Sequence, residues 1–140
     1  MVRKIMCDPA FLAQSCENAT KDDLQVVEDL LDTVMKYKEG CVGMAANMIG
    51  VRKRIVIVLD QLGRIPTYKV MLNPEIIAKR GVYDAEECCL SHRNIHECTR
   101  YRTVTVRFQT TAMETRTETF SGWSAQVVQH VIDHCNGVLV

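Results

Sequence analysis

The sequence predicts an α+β fold, with a largely antiparallel sheet packed around a C-terminal helix. Three observations lead there. An amphipathic helical pattern comes early, β-branched and alternating segments fill the middle, and a second helical pattern closes the chain before Asn136-Gly137. At 140 residues the chain is expected to form one domain, residues 1–140, large enough to bury its own core.

The first helix begins near Thr20, where a hydroxyl cap is followed by Asp22 and Asp23 at the positive helix end. Leu24, Val27, Leu31, Val34 and Met35 recur at helical spacing. They predict an amphipathic helix of about 16 residues, stopped by Gly40. A small, apolar, glycine-bounded segment follows, Cys41-Val42-Gly43-Met44-Ala45-Ala46-Asn47-Met48-Ile49-Gly50. Residues 54–59 read as a buried strand and 61–64 as a turn. Residues 68–72 form a second strand halted by Asn73-Pro74, and residues 83–90 contain a third. Val104 and Val106 alternate with Thr103, Thr105 and Arg107, and Phe108 extends the half-buried pattern. Residues 115–120 are its partner strand. Ser121-Gly122 opens a helix from about Trp123 to Cys135.

Apolar residues make up 47% and charged residues 24%, ordinary values for a globular protein. Lys plus Arg and Asp plus Glu are 17 each, so net charge gives no argument for specific nucleic-acid or membrane binding. The N-terminus is too polar for a secretory signal, and no run approaches the ~18 apolar residues of a membrane span. With seven cysteines and no export signal, free thiols in a reducing cytoplasm are expected, one or two of them bound to metal.

His130 and His134 lie four apart in the last helix, so both imidazoles leave one face a turn apart. That spacing lets one helix give two nitrogen ligands to a single metal. Alone it is a weak signal, and a core or surface role explains most such pairs. His92 and His96 share the spacing, but Arg93, Asn94 and Glu97 around them point to a solvated loop. Three neighbours favour the later pair. Asp133 supplies an anion near the site, Gln129 precedes the histidines, and Glu87-Cys88-Cys89-Leu90-Ser91 puts a thiolate on a strand. Cys89 with His130 and His134 makes three ligands and an open position, the layout of a catalytic metal. Cys88 reaches the same metal only if the strand is distorted, because successive strand residues face opposite ways.

These segments resemble the motifs of the peptide deformylase family, GxGLAAxQxG, EGCLS and QHExDH, in the same order. They correspond to residues 41–50, to 87–91, and to Gln129-His130-Val131-Ile132-Asp133-His134. The resemblance spans nearly the whole chain. It implies the peptide-deformylase fold with a C-terminal metal-binding helix, and removal of the N-formyl group from the N-terminal Met of nascent polypeptides. It implies one divalent metal ion, natively Fe(II), with Zn or Ni as substitutes, held by Cys89, His130 and His134. The implied partners are N-formylmethionyl peptides, met at the ribosome, with the chain a cytoplasmic monomer or weak dimer. Val42, Gly43, Met44, Ile49 and Glu87 are the implied substrate contacts, and the Leu90 N–H an oxyanion donor. Arg100, Asp133 and Gln129 are the implied supports, with Arg100 paired to Asp133.

Two departures bear on activity. Val131 stands where the family has the glutamate that takes a proton from the attacking water and passes it to the leaving amine. Met48 stands where it has the glutamine that donates to the oxyanion. Cys41 and Cys88 replace glycines, which re-shapes loop and strand. A positioned acid/base contributes ~10²–10⁴ in rate, and one oxyanion donor ~10²–10³. Weak or absent deformylation is therefore expected. Three readings of Val131 stand open: a single change in an otherwise active enzyme, a paralogue that kept the pocket and lost the reaction, or a site with a substitute base such as Glu86 or Glu87. Separately, three functions are open: a metallohydrolase, a non-catalytic module that binds N-terminal peptides, and a purely structural metal site in which Val131 is only apolar packing. In each case Cys89→Ala should abolish tight metal binding, and unchanged metal content on elemental analysis would refute the ligand assignment.

Overall fold

A computed structural model describes residues 1–60, 67–91 and 95–140. The turn expected at 61–64 and the residues His92, Arg93 and Asn94 lie outside the described residues. The chain order is α1 (Pro9–Leu12), α2 (Leu24–Lys36), β1 (Gly43–Ala45), β2 (Ile55–Asp60), β3 (Thr67–Glu87), β4 (His96–Gln109), β5 (Thr115–Ser121) and α3 (Gly122–Cys135). The five strands form one antiparallel sheet in sequence order, β1-β2-β3-β4-β5. The α+β architecture with a mostly antiparallel sheet is as expected. α3 packs across β1, β2, β4 and β5 and closes the core.

Thr20 starts the first helical region as its sequence suggests, but with a 3₁₀ turn over Lys21–Asp23. The Asp23 carboxylate accepts from the Thr20 N–H at 2.8 Å, and the Thr20 hydroxyl accepts from the Asp22 N–H at 3.2 Å. α2 then runs only 13 residues and ends at Lys36, not at Gly40. Its buried face is also rotated from the expected stripe. Val27, Leu30 and Val34 point inward with Asp29 and Thr33, while Leu24 and Met35 are exposed. The N-terminal segment causes this by docking on the polar side of the helix. Arg3 donates through Nε and Nη2 to Asp29 Oδ2 at 3.0 and 2.9 Å, and its N–H donates to Thr33 Oγ1 at 2.9 Å.

The strands expected at 68–72 and 83–90 are one strand, β3, 21 residues long. Asn73-Pro74 does not halt it. Asn73 takes a left-handed conformation (φ 53°), and the ladder shifts register between Leu72 and Glu75. Pro74 lies inside this irregularity, where its missing N–H breaks no ladder bond. The Asn73 side chain secures the bend. Oδ1 accepts from the Ala19 N–H at 2.7 Å, and Nδ2 donates to the Ala19 carbonyl at 3.0 Å and Gln109 Oε1 at 2.6 Å. His96, expected in a solvated loop, instead opens β4 opposite Glu87.

β5 passes straight into α3 because Gly122 turns the chain with a φ of 62°. β5 ends its pairing at Ser121 opposite Thr103, so the next stretch of the β4 edge needs another partner. Gln129 supplies one. Its Oε1 accepts from the Tyr101 N–H and its Nε2 donates to the Tyr101 carbonyl, both at 2.8 Å. One side-chain amide thus replaces a strand residue and ties α3 to the sheet. Gln129→Leu would leave both backbone groups unpaired and is expected to cost about 1–3 kcal/mol, read from denaturant midpoints. An unchanged midpoint would mean that water replaces the amide at no cost.

Candidate metal centre

Strand and helix meet where the end of β3 faces the middle of α3. The Cys89 Sγ, His130 and His134 ligand atoms all lie within 4.8 Å of one another. Cys89 Sγ is 3.3 Å from His134 Nε2, and the two imidazole centroids are 5.0 Å apart. The set holds the three residues expected, and Cys88, exposed on the adjacent position, is not in it. One thiolate and two imidazoles suit a borderline cation such as Zn(II) or Fe(II), and three donors leave a four-coordinate ion one exchangeable position. The donor chemistry therefore fits a divalent metal.

A buried charged network supports the histidines. Glu87 Oε1 lies 2.6 Å from His130 Nδ1, which leaves the other ring nitrogen for a metal. Arg100 grips the same carboxylate with a two-pronged contact, Nε to Oε2 at 2.9 Å and Nη2 to Oε1 at 2.7 Å. Its third nitrogen, Nη1, donates to Asp133 Oδ2 at 2.6 Å. The Arg100–Asp133 pair is the one the resemblance implies. Burial pushes the Glu87 carboxyl up, but the hydrogen bonds from His130 and Arg100 outweigh it and hold the group well below the usual carboxylate range. Burial opposes the Arg100 charge, and Glu87 and Asp133 more than restore it.

Beside the ligands runs a groove of about 250 Å³. Val42, Gly43 and Leu90 line it. Met44 and Ile49 do not: Met44 on β1 and Ile49 in the following 3₁₀ turn are buried in the core, outside the groove lining. Glu87 lines the groove, but its oxygens are turned to His130, Arg100 and Gln126. Met48 is buried as well, and its sulfur accepts from the Ala45 N–H at 3.4 Å, so it caps its own turn.

Val131 forms part of the groove wall and is 1% exposed. Helix and strand are very close here. A Cβ on Gly43 would lie 2.9 Å from Val127 Cγ1, 3.1 Å from Val131 Cγ1 and 3.2 Å from the Ile57 carbonyl. Gly43 is thus the residue that lets α3 lie on β1. Asn47, fully buried, fixes the last turn of that helix by donating from Nδ2 to the His134 carbonyl at 2.9 Å.

Sequence reasoning paired Asp133 with Arg100, the pair the structure holds, but it missed three supports. Glu87, read as a substrate contact, faces His130 Nδ1, and Asn47 and Gln126 were not singled out. Glu87 closes β3 and Cys89 lies two residues on, just past the strand. Asn47 and Gln126 carried no signal beyond being amides.

A helix that supplies two histidines four apart, a cysteine just past a strand and an adjoining groove define a candidate mononuclear metal-site protein of the α+β class. The sequence model for polypeptide deformylase matches residues 2–140. Peptide deformylase of Clostridium beijerinckii is 39% identical over 140 residues, covering 100% of both chains. That of Pseudothermotoga lettingae is 38% identical over 145 residues, covering 99% of this chain and 81% of its own. Among solved structures, a class I type b peptide deformylase from Acinetobacter baumannii with Met-Ala-Ser bound superimposes with a TM-score of 0.86 at 26% identity, covering 99% and 97%. A Legionella pneumophila peptide deformylase gives 0.86 at 33% identity, covering 99% and 83%. The chain belongs to the polypeptide deformylase family, whose members are metal-dependent and act on N-formylmethionyl nascent chains.

The low Glu87 carboxyl links this site to stability. A depressed folded-state value stabilises above the ordinary carboxylate range, and that contribution is lost as pH falls through the folded value. In metal-free protein, denaturant midpoints should fall between about pH 5 and pH 3, and Glu87→Gln should flatten that fall. Equal slopes in the two proteins would show that Glu87 does not set the acid limb.

Proposed function

We propose that this chain is a deformylase-type metallohydrolase whose ligand set and peptide groove are intact and whose proton transfer is disabled. Val131 carries the reading. It puts an isopropyl group, packed on Gly43, at the place in the groove wall where the family has its general base. Among the described residues, the carboxylates that line the groove are Glu86 and Glu87, and Glu87 is committed to Arg100 and His130. The ligands proposed are Cys89, His130 and His134, holding one divalent ion, natively Fe(II). Such an ion supplies a Lewis acid for a carbonyl oxygen and lowers the pKa of water toward ~7.

The chain's own groups bind and orient. Val42 and Gly43 on one side and Leu90 on the other present backbone to an extended N-formylmethionyl peptide, which adds as a strand. The Leu90 N–H donates to the oxygen that gains charge, a task Met48 cannot share because a thioether has no proton to give. Met-Ala-Ser bound to the Acinetobacter relative supports a peptide in this groove. We place the chain in the cytoplasm as a monomer or weak dimer that meets nascent peptides at the ribosome.

A second reading, a module that binds N-terminal peptides without cleaving them, follows from the same residue. Hydrolysis of a formyl-Met peptide by Ni(II)- or Fe(II)-loaded protein, run beside Val131→Glu, separates the two. The metallohydrolase reading expects slow turnover, raised by ~10²–10⁴ in the variant. Peptide affinity by calorimetry with no turnover in either protein supports the binding module. Fast turnover without the glutamate would overturn the account of Val131.

A further inference from the structure

Gln126 lies one helical turn before His130 on α3 and lines the groove. Its Nε2 donates to Glu87 Oε2 at 3.0 Å, and its Oε1 accepts from the Tyr83 hydroxyl at 3.3 Å. Oε1 of Glu87 faces His130 Nδ1, and Arg100 touches both carboxylate oxygens. Each Glu87 oxygen therefore has two polar partners, and Gln126 supplies the one that Arg100 and His130 do not. Beside the two-pronged Arg100 contact and the His130 contact, Gln126 is thus a further hydrogen bond that fixes the plane of the carboxylate from the groove side. The plane of that carboxylate sets the direction from which His130 Nδ1 is held, and hence the aim of the other ring nitrogen.

We propose that Gln126 is a positioning residue for the metal centre. It locks the Glu87 carboxylate, Tyr83 holds the Gln126 amide from the far side, and His130 is aimed through this chain of three side chains. The inference rests on the ligand assignment of Cys89, His130 and His134. A half-buried amide whose two ends are each bonded has little freedom, so the chain conveys orientation across β3 and α3.

The test is metal affinity with no turnover involved. Co(II) is titrated into metal-free protein against a chelator, and the visible absorption of the bound ion is recorded. Gln126→Leu is expected to weaken Co(II) binding by ~10-fold or more and to shift the ligand-field bands, within the 10–100-fold typical of supporting residues. Tyr83→Phe, which lies outside the groove lining, should move both readouts in the same direction and by less. In a Glu87→Gln background, Gln126→Leu should add almost nothing, because the group it positions has changed. Unchanged affinity and bands in Gln126→Leu, or full additivity with Glu87→Gln, would overturn the proposal while leaving the ligand assignment standing. Failure of the unsubstituted protein to bind Co(II) would overturn both. Thermal melting of each metal-free variant confirms that the fold is retained.

Discussion

The structure turns on the buried contact between Arg100 and the Glu87 carboxylate. Arg100 comes from β4, Glu87 from the end of β3 and Asp133 from α3, so one guanidinium holds together the three elements that form the site. Charges removed from water are tolerated only when nearly every donor and acceptor is used. Here the guanidinium donates to both oxygens of one carboxylate, to one oxygen of another and to the Thr99 carbonyl. Glu87 stays ionised and faces His130, and His130 is thereby oriented before any metal arrives. Removing one partner would strand the others, which is why the cluster specifies a geometry more than it adds stability.

Around that cluster the groove is shaped by close approach. Gly43 lets α3 lie on β1, and Val127 and Val131 fill the space its missing side chain leaves. Val131 is therefore both an absent carboxylate and a packed residue. The same contact that makes the helix fit removes the group best placed to move a proton. Met48 follows the same pattern: its sulfur turns back to Ala45, an apolar substitute that keeps the local turn and gives up a donor. Both departures keep the local packing, and on the proposed reading both weaken the chemistry.

Much of this was legible in the sequence. Period-3.6 and period-2 patterns and a β-branched run placed α3, β2, β5 and the second half of β4. The candidate ligands Cys89, His130 and His134 came from the family resemblance added to a weak histidine spacing. What escaped depends on contacts between distant segments. Asn73-Pro74 reads locally as a stop. It becomes a bend because Ala19 and Gln109, far away in sequence, hold the asparagine side chain. The α2 stripe was misread because Arg3 docks on Asp29 and turns a polar side inward. Met44 and Ile49 belong to the segment that builds the groove, but only the three-dimensional turn shows that they face away from it. The roles of Asn47 and Gln126 arise from tertiary hydrogen bonds, which no periodicity encodes.

The clasp between Gln129 and Tyr101 has a kinetic meaning. A backbone amide held by a helix side chain is released to solvent only when the helix leaves the sheet. Gln129 immediately precedes His130, so undocking of this part of α3 displaces a candidate metal ligand and bares the edge of β4 in one motion. Strand fraying and loss of the metal centre thus belong to a single cooperative opening unit. Exchange of one proton, on the Tyr101 nitrogen, would report how often that unit opens.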